Sequence, residues 1–100
     1  MALKNIDSIL ERSPGNADAE YMRAVCLRYL SEYDPALETL KHLQTRHPLF
    51  SRAFQEEGHL HMARKDADNA LRAYQHATRL NPALLASWKG QLVLLARQDN

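Results

Sequence analysis

Ala70-Leu71-Arg72-Ala73-Tyr74-Gln75-His76-Ala77-Thr78-Arg79-Leu80-Asn81-Pro82 has two earlier counterparts in this 100-residue chain. One begins 34 residues upstream at Ala36-Leu37 and closes at Pro48; the other begins at Ala2-Leu3 and closes at Pro14. Within these segments Ile6, Leu40 and Tyr74 share a column, as do Ile9, Leu43 and Ala77. A second set runs between them: Glu20, Phe54 and Trp88; then Ala24, Gly58 and Leu92; then Leu27, His61 and Leu95. A fixed period of this length marks stacked helical or strand repeats. The steps of three and four residues inside each segment are those of one helix face.

Composition agrees with helix. Sixteen Leu and 14 Ala stand against seven β-branched residues, a mix that favours helix over sheet. The net charge of +1 argues against a dedicated nucleic-acid-binding domain, where a basic excess is expected. One cysteine cannot form an internal disulfide and points to a reducing, cytoplasmic setting. No apolar run approaches the ~20 residues needed to cross a membrane, and the charged start Lys4-Asn5-Ile6-Asp7 has no signal-peptide core.

Each period is predicted to hold two helices, A and B. The first pair spans about Ala17–Leu30 and Pro35–Arg46, the second about Arg52–Arg64 and Asn69–Leu80. Asn16, Asp34, Ser51 and Asp68 are the expected N-caps, and Pro35 suits a first helical turn. The expected turns are Ser31-Glu32-Tyr33-Asp34 and Lys65-Asp66-Ala67-Asp68. Pro48 and Pro82 end the B helices, because the residue before proline disfavours helix. Ala2–Arg12 matches a helix B and Leu85–Arg97 a helix A. The order is B, A–B, A–B, A, divided as a half repeat 1–16, repeats 17–50 and 51–84, and a half repeat 85–100.

This pattern resembles the tetratricopeptide repeat. Phe54, Gly58, Ala70, Tyr74, Ala77 and Pro82 carry the resemblance best in the second unit, and Ala24, Leu27, Ala36, Leu40 and Pro48 in the first. Glu20 stands where the family often has Trp, and Trp88 restores that aromatic. Arg23, Glu57 and Gln91 stand where it has Leu; either these polar side chains reach the rim or each helix A is rotated slightly. The resemblance implies an all-α α-solenoid that buries its core by stacking neighbours and presents a concave groove for an extended peptide. In a narrower likeness, Gln55-Glu56-Glu57-Gly58-His59-Leu60, Ala73-Tyr74-Gln75-His76-Ala77 and Leu80-Asn81-Pro82-Ala83-Leu84 with Trp88 resemble the N-terminal arrays of bacterial sulfotransferases that carry these repeats. That likeness implies an alternative role as the leading segment of a larger enzyme, although no phosphosulfate-binding loop is present.

Chemistry-bearing constellations are sparse, and neither metal nor cofactor is expected. His59 and His61 diverge by about 200° on a helix and cannot share an ion. His42 and His47 straddle a helix end, and His76 is alone. Cys26 reads as a small buried hydrophobe, Glu56-Glu57 as a solvated rim, and Gly58 and Gly90 as points of close helix packing.

Family positions for the groove fall on Asp18, Tyr21, Val25, Arg28 and Tyr29 of the first helix A. The second helix A contributes Arg52, Gln55, His59 and Met62, and the third Ala86, Lys89, Val93 and Arg97. Arg28, Arg52, Lys89 and Arg97 against Asp18 suit a peptide with acidic groups. Tyr21 and Val25 stand where carboxylate-clamping relatives use Lys and Asn, so that specialised role is not expected. Leu92 and Leu95 are expected to pack inward, while the run Leu92-Val93-Leu94-Leu95 spans more than one face and leaves part of itself uncovered. With Asp99-Asn100 matching the turn at Lys65-Asp66, the chain is expected to be a piece of a longer array or to self-associate through this helix.

Overall fold

The computed structural model describes residues 2–98. Met1, Asp99 and Asn100 lie outside them, and with them the expected turn at Asp99-Asn100. Among the described residues all regular structure is α-helical: α1 (Ala2–Arg12), α2 (Ala17–Tyr29), α3 (Tyr33–Arg46), α4 (Ser51–Ala63), α5 (Ala67–Leu80) and α6 (Leu85–Gln98). Order and type match the expected B, A–B, A–B, A. The chain divides into two compact units, Met1–Pro48 and Leu49–Asn100. In the first, α2 packs on both α1 and α3; in the second, α4, α5 and α6 all touch one another.

The A-to-B turns are tighter than the sequence suggested. Ser31 and Lys65, one period apart, take left-handed φ values of 61° and 62°. Ser31 N–H donates to Arg28 O and Glu32 N–H to Leu27 O, and Lys65 and Asp66 repeat these bonds onto Met62 and His61. This Schellman closure satisfies the last carbonyls of helix A and reverses the chain within two residues. Helix B therefore starts early, at Tyr33 and Ala67, and the N-caps are Glu32 and Asp66, not Asp34 and Asp68. Asp34, Pro35 and Asp68 sit in the first helical turn, where carboxylates favour the helix dipole and a missing N–H costs nothing. Asp66 accepts from the side-chain amide of Asn69 at 2.7 Å and from its backbone N–H at 3.3 Å, which holds its carboxyl below the usual aspartate value. Asn16 caps α2 as expected, through Ala19 N–H at 3.0 Å. Ser51 is already helical, with Phe50 at the cap position.

Packing in the second unit centres on Tyr74. Its ring lies between two glycines: a Cβ on Gly58 of α4 or on Gly90 of α6 would sit 2.5 Å from it. No side chain fits at either point, so only glycine lets both helices close on α5. Leu94 and Ala70 complete the buried cluster, with Met62 and Leu71 packed against it. The Tyr74 hydroxyl is 2.7 Å from His59 Nδ1. Leu40 takes the matching place in the first unit, fully buried with Ala24, Ala36 and Leu43. A shorter side chain there goes with a Cβ at Ala24.

Several polar residues are buried where exposure was expected. Glu56 is 2% exposed, so the Glu56-Glu57 pair is not a solvated rim. Glu57 hydrogen bonds to buried His61 at 3.1 Å. Each member of the polar column is tied to a polar neighbour, with Gln91 buried and Arg23 and Glu57 half-buried. Arg23 Nε donates to Asp7 Oδ1 at 3.0 Å and its Nη1 to Thr39 Oγ1 at 2.7 Å. Gln91, buried, donates to Thr78 Oγ1 at 3.0 Å. Cys26 is half-buried, not buried.

The last helix turns a different face inward than expected. Leu94 is buried, whereas Leu92 is 68% exposed and Leu95 and Trp88 are also exposed. These three occupy the columns that α2 and α4 cover with their own helix B, and among the described residues no helix B packs on this side of α6. Trp88 turns its indole N–H to Pro82 O at 2.8 Å.

Two stability predictions follow from the Tyr74 contacts. Gly58→Ala is expected to lower stability by about 1–3 kcal/mol through overpacking, despite the ~1 kcal/mol that alanine ordinarily brings to a helix interior. The urea midpoint reads this, and adding Tyr74→Leu should recover most of the loss. His59→Leu removes the 2.7 Å partner of a buried hydroxyl and should cost about 1–3 kcal/mol; in a Tyr74→Phe background the same change should cost far less, a coupling measured by a double-mutant cycle.

Candidate functional site

The groove residues proposed from the sequence lie on the A helices, and their surroundings differ between units. On α2, Tyr21, Val25 and Arg28 follow steps of four and three along one face and are half-buried; Asp18, one turn earlier, is exposed. Tyr29 is exposed and its ring lies 4.7 Å from the Arg28 guanidinium carbon, a distance at which cation and ring attract. This face carries two tyrosines, Val25, Arg28 and the exposed carboxylate of Asp18.

In the second unit α4 and α6 are neighbours, joined where Ser87 Oγ donates to Gln55 Oε1 at 2.8 Å. Gln55, His59 and Met62 are half-buried. Each also has work inside the unit: Gln55 holds Ser87, His59 holds the Tyr74 hydroxyl, and Met62 packs on the Tyr74 cluster. Arg52 of α4 and Lys89, Arg97 and Ala86 of α6 are exposed, and Val93 is half-buried.

The electrostatic character of this unit follows from burial. Both carboxylates of α4 are withdrawn, Glu56 fully and Glu57 onto His61. The α6 segment Leu85–Gln98 contains no Asp or Glu. The exposed charges contributed by the groove positions of α4 and α6 are therefore all cationic. Among the described residues no group of three His, Cys, Asp or Glu is placed to hold a metal ion.

Ser87 was missed in the sequence. It is fully buried and shares its column with Ala19 and Ala53, also buried. A small residue every 34 positions was the available signal, since a large one would hold the helices apart. Gln91 was placed in its column, but its bond to Thr78 depends on how α5 and α6 pack, which periodicity does not carry.

No family model and no curated protein matches the sequence. Solved structures do. A Naa15/Naa10 complex bound to HypK-THB superposes with TM-score 0.86 over 96% of this chain at 25% identity, spanning 14% of that chain. YrrB, described as a TPR protein with an unusual peptide-binding site, gives TM-score 0.83 over 89% of this chain at 18% identity, spanning 46% of its own length. MamA from Desulfovibrio magneticus RS-1, from residue 41 to its end, gives 0.81 over 97% at 22% identity, spanning 55%. This chain thus spans between about a seventh and just over half of these structures. None of the three is a sulfotransferase, and the narrower likeness gains no support from them. No helix among the described residues is long and apolar enough to cross a membrane. The 34-residue period, the paired helices with their Schellman turns and these superpositions agree that the chain is a tetratricopeptide-repeat protein in fold.

Proposed function

We propose that the chain is a non-catalytic protein-interaction module in which the α4 and α6 faces of the second unit take a partner segment bearing acidic groups. The observation that carries this reading is the cationic character of the groove positions on α4 and α6: Arg52, Lys89 and Arg97 are exposed, while Glu56 is buried and Glu57 is half-buried against His61. Exposed cations on one face attract an acidic segment from a distance and favour its register. By itself, the first unit carries a separate surface of Tyr21, Val25, Arg28 and Tyr29 beside the exposed Asp18, with aromatic side chains of the kind that anchor partner residues. YrrB is described with a peptide-binding site and the Naa15/Naa10 structure with bound HypK, which makes peptide and protein partners the relevant class. A cytoplasmic setting suits a chain with one free cysteine.

A second surface supports self-association through α6. Trp88, Leu92 and Leu95 form an exposed stripe at steps of four and three. Their counterparts in α2 and α4 are buried by a helix B, so an amphipathic helix is the geometry that fits.

The test for the first reading is fluorescence anisotropy with a labelled peptide of alternating Glu and Leu. Binding should weaken steeply as salt rises, because exposed charges are screened over ~10 Å at 0.1 M. Arg52→Glu should weaken it about tenfold, and a Gln-for-Glu peptide should not bind. Binding indifferent to salt and to Arg52→Glu would sink the acidic-partner reading. For the second, light scattering over a concentration series should show association that Leu92→Lys abolishes.

A further inference from the structure

The exposed large apolar side chains of α6 form one narrow stripe. Leu85, Trp88, Leu92 and Leu95 are all exposed, Leu85 at 79% and Leu92 at 68%. Their steps of three, four and three residues are those of a seam along which two helices pack at about 20°. Covering the stripe strands no polar group. Three of its members are leucines, and the Trp88 indole N–H already donates to Pro82 O at 2.8 Å. The stripe adjoins the contact with α5, where Gln91 meets Thr78 and Leu94 meets Ala70 and Tyr74. A further helix here would extend a layer that is already packed.

The helices of this chain differ in how well they could cover the stripe from a second copy. The apolar faces of α3 and α5 are buried at Ala36, Leu40 and Leu43 and at Ala70, Tyr74 and Ala77. On α1 the exposed Ile9 stands among Lys4, Asn5, Ser8 and Arg12, also exposed, so α1 would press polar groups against leucine. α6 itself fits, because the stripe is a palindrome in spacing. Turned end for end about the level of Gly90, it reads three, four, three again. Leu85 then meets Leu95 of the second copy and Trp88 meets Leu92 of the second copy, and the same pairs recur beyond the axis. A two-fold contact requires this kind of self-complementary patch.

We infer that two copies of the chain pair through α6 as antiparallel helices, with Leu85, Trp88, Leu92 and Leu95 of each copy in the seam. This pairing rests on the self-association reading above and adds its geometry. Antiparallel order matches the way helix B returns along helix A after each tight turn, opposes the two helix dipoles, and sets each indole on a leucine instead of on the other indole. Roughly 100 Å² of each stripe side chain is left to cover, or about 800 Å² over both copies, the size of a weak and reversible contact. Charge acts against it at one point. Lys89 edges the seam and stands about 3 Å along the axis from Lys89 of the second copy, and α6 has no acid to offset the pair. Salt screens this repulsion, so the dimer tightens as salt rises, opposite in sign to the binding of an acidic segment.

The test combines sedimentation equilibrium of the 100-residue chain with distances between spin labels. Mass should rise to two copies and no further, and the dimer should tighten several-fold between about 0.05 and 0.5 M NaCl. Labels go on Lys89→Cys and, separately, on Ala96→Cys, each in a Cys26→Ala background. Both positions edge the same side of the seam and are exposed, so the variants should keep the parent's helicity. An antiparallel pair gives a short distance between copies at position 89 and a clearly longer one at 96, where the two labels are about 18 Å apart along the axis. A parallel pair gives similar distances at both. Association that needs Leu92 but shows similar distances, grows past two copies or weakens with salt would overturn the antiparallel pair alone. A chain that stays monomeric, or association unmoved by Leu92→Lys, would overturn the α6 self-association reading with it.

Discussion

The contact on which the second unit depends is the Tyr74 ring held between Gly58 and Gly90, where a Cβ from either side would come within 2.5 Å. An aromatic ring is flat and wide, and a helix backbone reaches its face only if the residue at the crossing has no side chain. Two such crossings let one ring serve three helices. The remaining contacts follow from that closeness. His59 reaches the Tyr74 hydroxyl, Ser87 reaches Gln55, and Gln91 lies near enough to α5 to donate to Thr78. Core packing of this density leaves little tolerance for an added methyl group.

The two units solve the same register with different chemistry. In the second, Phe54 and His76 stack and Leu80 stands beside them in sequence phase. In the first, the matching positions are Glu20, His42 and Arg46, and a carboxylate beside a guanidinium and an imidazole replaces the aromatic pair. Only Glu20 is buried in this group, and its contacts to the exposed Arg46 and His42 are long, at 3.4 and 3.5 Å, so the pairing offsets little of the cost of burying the carboxylate. The first unit compensates with ties between helices: Arg23 joins α2 to Asp7 of α1 and to Thr39 of α3. A ring seals the space it fills, whereas a carboxylate leaves room and an unmet acceptor.

Burial also decides the charge that each face presents. By count the chain is nearly neutral. Withdrawal of Glu56 and Glu57 into the second unit leaves Arg52 as the exposed charge among the groove positions of α4. A cationic face thus arises from hiding acids as much as from displaying bases, a property that net charge does not record.

Much of the fold was legible in the residues alone. The 34-residue step of Pro14, Pro48 and Pro82, with the columns of Ala36 and Ala70 and of Leu40 and Tyr74, determined six helices and their pairing, because helix periodicity and proline chemistry act locally. Tertiary structure decided what local rules do not carry. Left-handed Ser31 and Lys65 moved the B-helix starts to Tyr33 and Ala67, since a non-glycine residue enters that conformation only when the surrounding hydrogen bonds hold it there. Leu94 went inward while Leu92 and Leu95 stayed exposed, because a four-residue apolar run covers every side of a helix and only the neighbour, here α5, selects one. Glu20, Glu56 and Gln91 became interior residues because their fate depends on partners or neighbours from other parts of the chain, which spacing along one helix cannot reveal.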